Sequence, residues 1–225
     1  MNTINQISIL AVCYVFLFLL FLLVWKKKSE NLASPNVQNG NWTWLHIRHA
    51  VGIIIMVFIP MLLLPVVNYG LLEIPGSINQ LQVITLLVTG LLLLILSAKA
   101  SDSIETKKIA GGSQSTFNAV VHILLRNSFL VAYEWFFRGL ILFSCVSLFG
   151  IFPAVLINLF LYASIHLING KKEFLGSIPF GIILCCFALW WHSVWPAILL
   201  HLLLSASYES VILHQFFCKP SKINL

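Results

Sequence analysis

The sequence predicts an all-α membrane protein, a polytopic transmembrane helix bundle of about seven spans, and two observations carry this prediction. Of the 225 residues 60% are hydrophobic and only 9% are charged, with a mean hydropathy of +0.97, whereas soluble domains carry roughly a quarter charged residues. The apolar residues also form continuous runs of the ~20 residues that a helix needs to cross a bilayer. These runs lack the strict alternation of an outer-membrane barrel.

The runs divide the chain into seven predicted spans, at about residues 5–25, 47–68, 79–98, 126–149, 152–168, 174–190 and 195–216, with a helical lead-in to the fourth from about Phe117. Turn residues mark the breaks between spans: Ser34-Pro35, Asn39-Gly40, Pro75-Gly76, Gly111-Gly112, Gly150 with Pro153, and Asn169-Gly170. We therefore expect N-terminal transmembrane helices and cytoplasmic loops in residues 1–114, a helical core in 115–216 and a short cytoplasmic tail in 217–225.

The lysines predict an orientation with the N-terminus outside and the C-terminus in the cytoplasm. They follow spans one, three, five and seven, and the loops after spans two, four and six contain no Lys or Arg; the lysines are Lys26, Lys27, Lys28, Lys99, Lys107, Lys108, Lys171, Lys172, Lys219 and Lys222. The net charge of +6 is thus interpreted as a topology signal. The sequence contains no basic stripe interleaved with aromatic residues, so it does not predict binding to nucleic acid. We expect a multi-pass protein of the inner cell membrane, surrounded by lipid.

A few ionisable residues fall inside the spans, although a charge near the middle of a bilayer costs ~2.5–3.5 kcal/mol on insertion scales. Among them are Glu134, Arg138, His166, His201 and Glu209, with His122 in the lead-in. On the fifth span Asn158, Tyr162 and His166 recur every four residues, and on the seventh span His201, Ser205 and Glu209 do the same. Three helices with one polar face each predict a shared, partly hydrated cavity inside the bundle.

The chemistry of these side chains is consistent with hydrolysis by an activated water. Glu134 and Arg138 are four residues apart, so they share one helix face, and a neutralising ion pair is the simplest interpretation of the two alone. A glutamate can also accept a proton from water. A histidine can share that role, donate to an oxyanion or bind a metal. Arginine can orient the glutamate or bind a substrate carboxylate.

Three motifs then resemble those of one known family. The segment from Tyr133 to Gly139, Tyr-Glu-Trp-Phe-Phe-Arg-Gly, resembles the EExxxR motif of the CPBP intramembrane proteases, which include the CAAX prenyl proteases and the bacterial Abi, or bacteriocin-immunity, proteins. Tyr162 to His166 resembles the second motif, FxxxH, and His201 to Ser205 resembles the third, HxxxN. Order and spacing match over roughly residues 115–212. The sequence departs from the motifs at Tyr133, Tyr162 and Ser205, which replace Glu, Phe and Asn.

The resemblance implies an intramembrane endopeptidase that cleaves a membrane-associated peptide or protein, with residues 115–216 as its catalytic core. It implies that Glu134 is the general base or a metal-linked carboxylate, with Arg138 as its orienting partner. His166 would be the second water-activating or metal-binding group, and His201, in one motif with Ser205, an oxyanion donor or ligand. Both a metal-free mechanism and a divalent metal such as zinc remain open. In the second case the ligands would be Glu134, His166 and His201.

Two alternatives remain beside the enzyme. The replacements at Tyr133 and Ser205 favour a catalytically degenerate membrane protein that acts in bacteriocin self-immunity or binds a partner. Buried Glu and His also build proton relays, which would fit a proton-coupled carrier. The carrier is the weaker hypothesis, because the sequence shows no pair of inverted halves.

Overall fold

The computed structural model of the protein describes residues 3–32, 34–64, 76–102 and 115–218. Seven of its helices are long and apolar enough to cross a membrane, and they confirm the predicted all-α fold. They are α1 Thr3–Lys26, α2 Thr43–Leu63, α3 Gln80–Asp102, α4 Thr116–Phe149, α5 Ile151–Asn169, α6 Lys171–Trp191 and α7 Trp195–Cys218. A single helical turn, Pro35–Gln38, lies between α1 and α2. No strand occurs in the ranges given above.

The breaks between helices follow from local backbone chemistry. Gly150 separates α4 from α5 at φ 80°, and Gly170 separates α5 from α6 at φ 120°. A residue without Cβ adopts these conformations at little cost, so the two predicted tight turns are confirmed. The predicted breaks at Pro75 and Gly111-Gly112 lie outside the described residues, as do four lysines of the orientation argument, Lys107, Lys108, Lys219 and Lys222.

Helix α4 is the central element of the bundle. It contacts α1, α2, α5, α6 and α7, and every residue from Ala132 to Leu142 is buried. Its middle section, Trp135–Leu142, is π-helical, and α2 contains a similar stretch at Ile54–Phe58. A helix that is enclosed by other helices can carry charged side chains that lipid would not tolerate. This explains why the apolar span four can hold Glu134 and Arg138.

Small side chains let the neighbouring helices approach each other closely, as is common in membrane bundles. A Cβ added to Gly181 of α6 would lie 2.9 Å from Leu159 Cδ1 and 3.1 Å from Tyr162 Cδ1, so α5 rests directly on this glycine. Helices α3 and α7 are joined by the Ser207 hydroxyl, which donates to Ser97 Oγ over 2.6 Å. These contacts fix the inward faces of α5 and α7.

The outer surface of the bundle is apolar, and the predicted polar stripes face inward. Large side chains such as Leu62, Phe152 and Phe160 are exposed on the outside, whereas Asn158 and Tyr162 are fully buried. Lipid is the natural solvent for such a surface. With seven spanning-length helices, the chain is a multi-pass membrane protein.

Candidate active site

A carboxylate, an imidazole and a guanidinium meet in the buried centre of the bundle. Glu134 is the last α-helical residue of α4 before the π-helical stretch, and its Oε1 atom lies 2.5 Å from His201 Nδ1 on α7. Its Oε2 atom lies 3.3 Å from Arg138 Nε. Glu134 and Arg138 have no solvent exposure. One buried carboxylate is therefore shared between an imidazole and a fixed positive charge, and its negative charge is compensated within the site.

Arg138 is held from both sides. Its guanidinium carbon lies 4.1 Å from the centroid of the Tyr162 ring, a cation–π arrangement that stabilises a desolvated arginine. The backbone next to it is fixed as well, because Asn158 Nδ2 donates to the Phe137 carbonyl over 2.6 Å and Cys185 Sγ lies 3.3 Å from Asn158 Oδ1. The stripe residues Asn158 and Tyr162 thus support Arg138 and the backbone beside it.

A small cavity, partly open to the outside, lies against this centre. Its polar lining comes from five helices and consists of Arg48, Arg126, Tyr133, His166, Asn169, Glu173 and His201. Glu134 does not line the cavity. The neighbouring position, Tyr133, does, and the Glu134 carboxylate reaches the cavity only through the His201 ring.

His166, at the end of α5, lines the same cavity and has its own carboxylate. Its Nδ1 atom lies 3.8 Å from Glu173 Oε2, and Asn169 Nδ2 donates to that oxygen over 2.7 Å. The Tyr162 ring connects the two histidines: its centroid is 4.7 Å from that of His166 and 6.4 Å from that of His201. The structure therefore brings two carboxylate–imidazole pairs to one cavity, one deeply buried and one near the surface.

The other two residues of the predicted α7 stripe, Ser205 and Glu209, belong to a second cluster. Ser205 Oγ accepts a hydrogen bond from Arg126 Nε over 3.2 Å, and the same Nε lies 3.1 Å from Glu209 Oε1. His122 Nε2 lies 3.2 Å from the second Glu209 oxygen. The predicted stripe is inward-facing, as expected, but Ser205 and Glu209 bind the first half of α4 and do not contact Glu134.

Three ionisable residues that line the cavity, Arg48, Arg126 and Glu173, were not predicted to belong to the site. Arg126 could have been found from the sequence, because it lies four residues after His122 and so shares a face of α4 with it. Glu173 follows His166 across a glycine turn, and no periodic pattern links the two. Arg48 lies on α2, outside all three motifs.

The implied metal ligands do not form a ligand set in this structure. Both oxygens of Glu134 are engaged, one by His201 and the other by Arg138, and His166 faces Glu173 instead. No group of three His, Cys, Asp or Glu side chains is arranged to hold a metal ion in the part of the chain that the structure describes.

Fold and site together define a polytopic membrane protein with a polar, histidine-lined cavity in its core. Residues 115–207 match the family model described as "Type II CAAX prenyl endopeptidase Rce1-like", which spans α4 to α7 up to Ser207. By this match the segment belongs to the CPBP family, and it supports a membrane protease of the CAAX type. No curated protein and no solved structure matches the chain.

Proposed function

We propose that the protein is an intramembrane endopeptidase that cleaves a membrane-associated peptide or protein with a water activated by histidine. The observation that carries the proposal is the 2.5 Å contact between Glu134 Oε1 and His201 Nδ1 beside a cavity that also contains His166. A carboxylate that binds one ring nitrogen fixes the orientation and tautomer of an imidazole, and makes it a better proton acceptor.

In this mechanism His201 and His166 are the catalytic residues, since both line the cavity, and Glu134 is a positioning residue. An imidazole removes a proton from water as the water oxygen attacks the scissile carbonyl carbon. When the tetrahedral intermediate collapses, the carbon–nitrogen bond breaks and the imidazolium returns the proton to the leaving amine. Arg138 holds Glu134 in place. These roles refine the expectation that Glu134 itself contacts the water.

The test uses the full-length protein in lipid nanodiscs with two kinds of fluorescence-quenched reporter: a prenylated peptide with a C-terminal CAAX sequence, and a set of unprenylated transmembrane peptides. We expect cleavage of at least one reporter by the wild type, and loss of cleavage in His201→Ala and His166→Ala. The control is His214→Ala, because His214 is exposed on α7 and lies outside the cavity. Undiminished cleavage by His201→Ala would falsify the mechanism.

One observation favours a second candidate, a non-catalytic protein that binds or shields a target, as a self-immunity factor does. Tyr133 occupies the cavity-facing position at which the EExxxR motif has its first glutamate. If this replacement abolished catalysis, the wild type would be inert towards every reporter and Tyr133→Glu would acquire cleavage. If cells that produce His166→Ala or His201→Ala remained protected against a bacteriocin, this result would then support the binding role.

A further inference from the structure

The Tyr133 hydroxyl is a buried polar group that lacks a hydrogen-bond partner within the described chain. The side chain is 3% exposed and lines the cavity, and its oxygen makes no hydrogen bond. Buried hydroxyls nearly always have a partner, and an exception calls for an explanation. Here the hydroxyl belongs to a residue that faces the space where a substrate would lie, next to the histidines proposed to activate water.

The Tyr133 ring is fixed by its neighbours. Its centroid lies 4.5 Å from that of Phe137 and 5.6 Å from that of Phe129, and 5.7 Å from that of Tyr162. The His201 ring meets it edge-on, with the centroids 6.1 Å apart. A ring packed on several sides cannot move its hydroxyl oxygen towards another protein acceptor without repacking the core, so the position of this oxygen is set before any ligand enters.

The other polar groups of the lining are largely committed. His201 Nδ1 is engaged by Glu134, and Arg126 Nε by Glu209 and Ser205. Three further lining atoms are buried without a partner: His166 Nε2, Asn169 Oδ1 and Arg48 Nε. Of these only Arg48 Nε is necessarily a donor, and its guanidinium is anchored elsewhere, at the Glu30 carbonyl and His49 Nε2. Tyr133 is therefore the uncommitted donor that lies next to His201.

We propose that the Tyr133 hydroxyl donates a hydrogen bond to the carbonyl oxygen of the scissile peptide and stabilises the oxyanion that forms there. When water adds to the carbonyl carbon, the π electrons of the carbonyl move to its oxygen, and the Tyr133 hydroxyl turns its proton towards that charge. The hydroxyl keeps its proton throughout, because the imidazole carries the proton from water to the leaving amine.

This inference rests on the proposed endopeptidase function. It also explains Ser205, which stands where the HxxxN motif has asparagine. Ser205 does not line the cavity, and its hydroxyl oxygen accepts from Arg126 instead, so the donor to the substrate comes from Tyr133 on α4. In this protein the first position of the EExxxR motif would thus supply a hydrogen-bond donor, whereas the motif has a carboxylate there.

The test compares wild type, Tyr133→Phe and Tyr14→Phe with whichever reporter the wild type cleaves, in nanodiscs. Tyr14 is the matched control, since its hydroxyl also lies in the bundle but contacts Ser164 over 2.6 Å and does not line the cavity. We expect Tyr133→Phe to lower kcat by about 10²–10³, as loss of one oxyanion donor does, with little change in KM. We expect Tyr14→Phe to retain the wild-type kcat.

Thermal unfolding separates a catalytic role from a structural one. Removing a buried hydroxyl that lacks a partner relieves a desolvation penalty, so Tyr133→Phe is expected to have a Tm equal to or above that of the wild type. A fall of both kcat and Tm would indicate a packing role and overturn the inference. An unchanged kcat in Tyr133→Phe would overturn it while the endopeptidase function stands. Absence of cleavage by the wild type, with every reporter, would overturn both.

Discussion

The carboxylate of Glu134 and the imidazole of His201 are 67 residues apart in sequence and 2.5 Å apart in the structure. The contact joins α4 to α7 at the buried end of the cavity and leaves the carboxylate without any access to solvent. In the proposed mechanism Glu134 therefore acts on a substrate by orienting and polarising His201. The arrangement resembles other carboxylate–imidazole pairs, in which the buried acid determines which ring nitrogen carries the proton.

Replacing Glu134 by glutamine is expected to reduce kcat by about 10²–10⁴, with a much smaller effect on KM. The amide has the same size, but it removes the charge that stabilises an imidazolium, and the corresponding change in a Ser-His-Asp triad costs about 10⁴. The measurement is single-turnover cleavage of a reporter peptide in nanodiscs. Glu30→Gln is the matched control, because Glu30 accepts from Ser34 near the short helical turn. A kcat equal to that of the wild type would show that Glu134 has no role in positioning.

Replacing Glu173 by glutamine is expected to reduce kcat by less than about tenfold. This carboxylate is 3.8 Å from His166 Nδ1 and its side chain is 40% exposed, and exposed ion pairs contribute little. The remaining effect of Glu173 is expected to shrink as salt screens the pair, whereas the effect of Glu134 is expected to be independent of salt. Rates measured at low and high ionic strength for both variants check this contrast, and a salt-dependent loss in Glu134→Gln would contradict it.

Arg138→Met is expected to destabilise the protein by about 3–5 kcal/mol, the usual cost of removing one partner of a buried ion pair. The control Arg126→Met is expected to cost only about 1 kcal/mol, since the Arg126 side chain is 22% exposed and that of its partner Glu209 is 17% exposed. Denaturant unfolding in bicelles measures both. In the double variant Glu134→Gln with Arg138→Met, we expect the loss of unfolding free energy to be smaller than the sum of the losses in the two single variants. Strict additivity would contradict an interaction between Glu134 and Arg138.

Gly181→Ala is expected to lower the stability by roughly 1–3 kcal/mol, the range for overpacking a tight contact. The new methyl group would lie 2.9 Å from Leu159 Cδ1 and 3.1 Å from Tyr162 Cδ1, and would push the Tyr162 ring off Arg138. Gly176 is on the same helix with nothing within 4 Å of an added Cβ, so Gly176→Ala is expected to be neutral or stabilising. Thermal unfolding of the two alanine variants in one detergent compares them directly. An equal Tm would show that α5 and α6 can separate freely.

The sequence was sufficient to predict the seven spans and the inward polar faces, for simple physical reasons. Charges and polar stripes are costly in lipid, so a four-residue recurrence such as Asn158, Tyr162 and His166 has to face protein. The same reasoning correctly predicted that His166 and His201 line one cavity. It relied only on helix periodicity and on the solvent outside the bundle.

The partners inside the site could not be predicted in the same way. Tyr133 and Glu134 are adjacent in sequence, and periodicity alone does not tell which of them faces the cavity. That choice depends on where α7 packs against α4 and on the π-helical turns that begin at Trp135. Likewise, Ser205 is one turn from His201, yet it binds Arg126, because the first half of α4 passes it there. Pairing across helices is determined by three-dimensional packing, which a single sequence does not specify.

The π-helical stretch Trp135–Leu142 has a consequence for how this helix tolerates insertions and deletions. An α-helix turns by about 100° per residue, so deleting Ile123 from its regular part would rotate one half against the other and misplace a whole face. A π-helical turn contains more residues than an α-helical turn. Deleting Leu140 would therefore allow the stretch to become α-helical while the helix on both sides keeps its orientation. We expect the first deletion to prevent folding, and the second to yield folded, monodisperse but inactive protein on size exclusion. The segment that directly follows Glu134 and contains Arg138 would then be the part of α4 in which the length of the chain is least constrained by the fold.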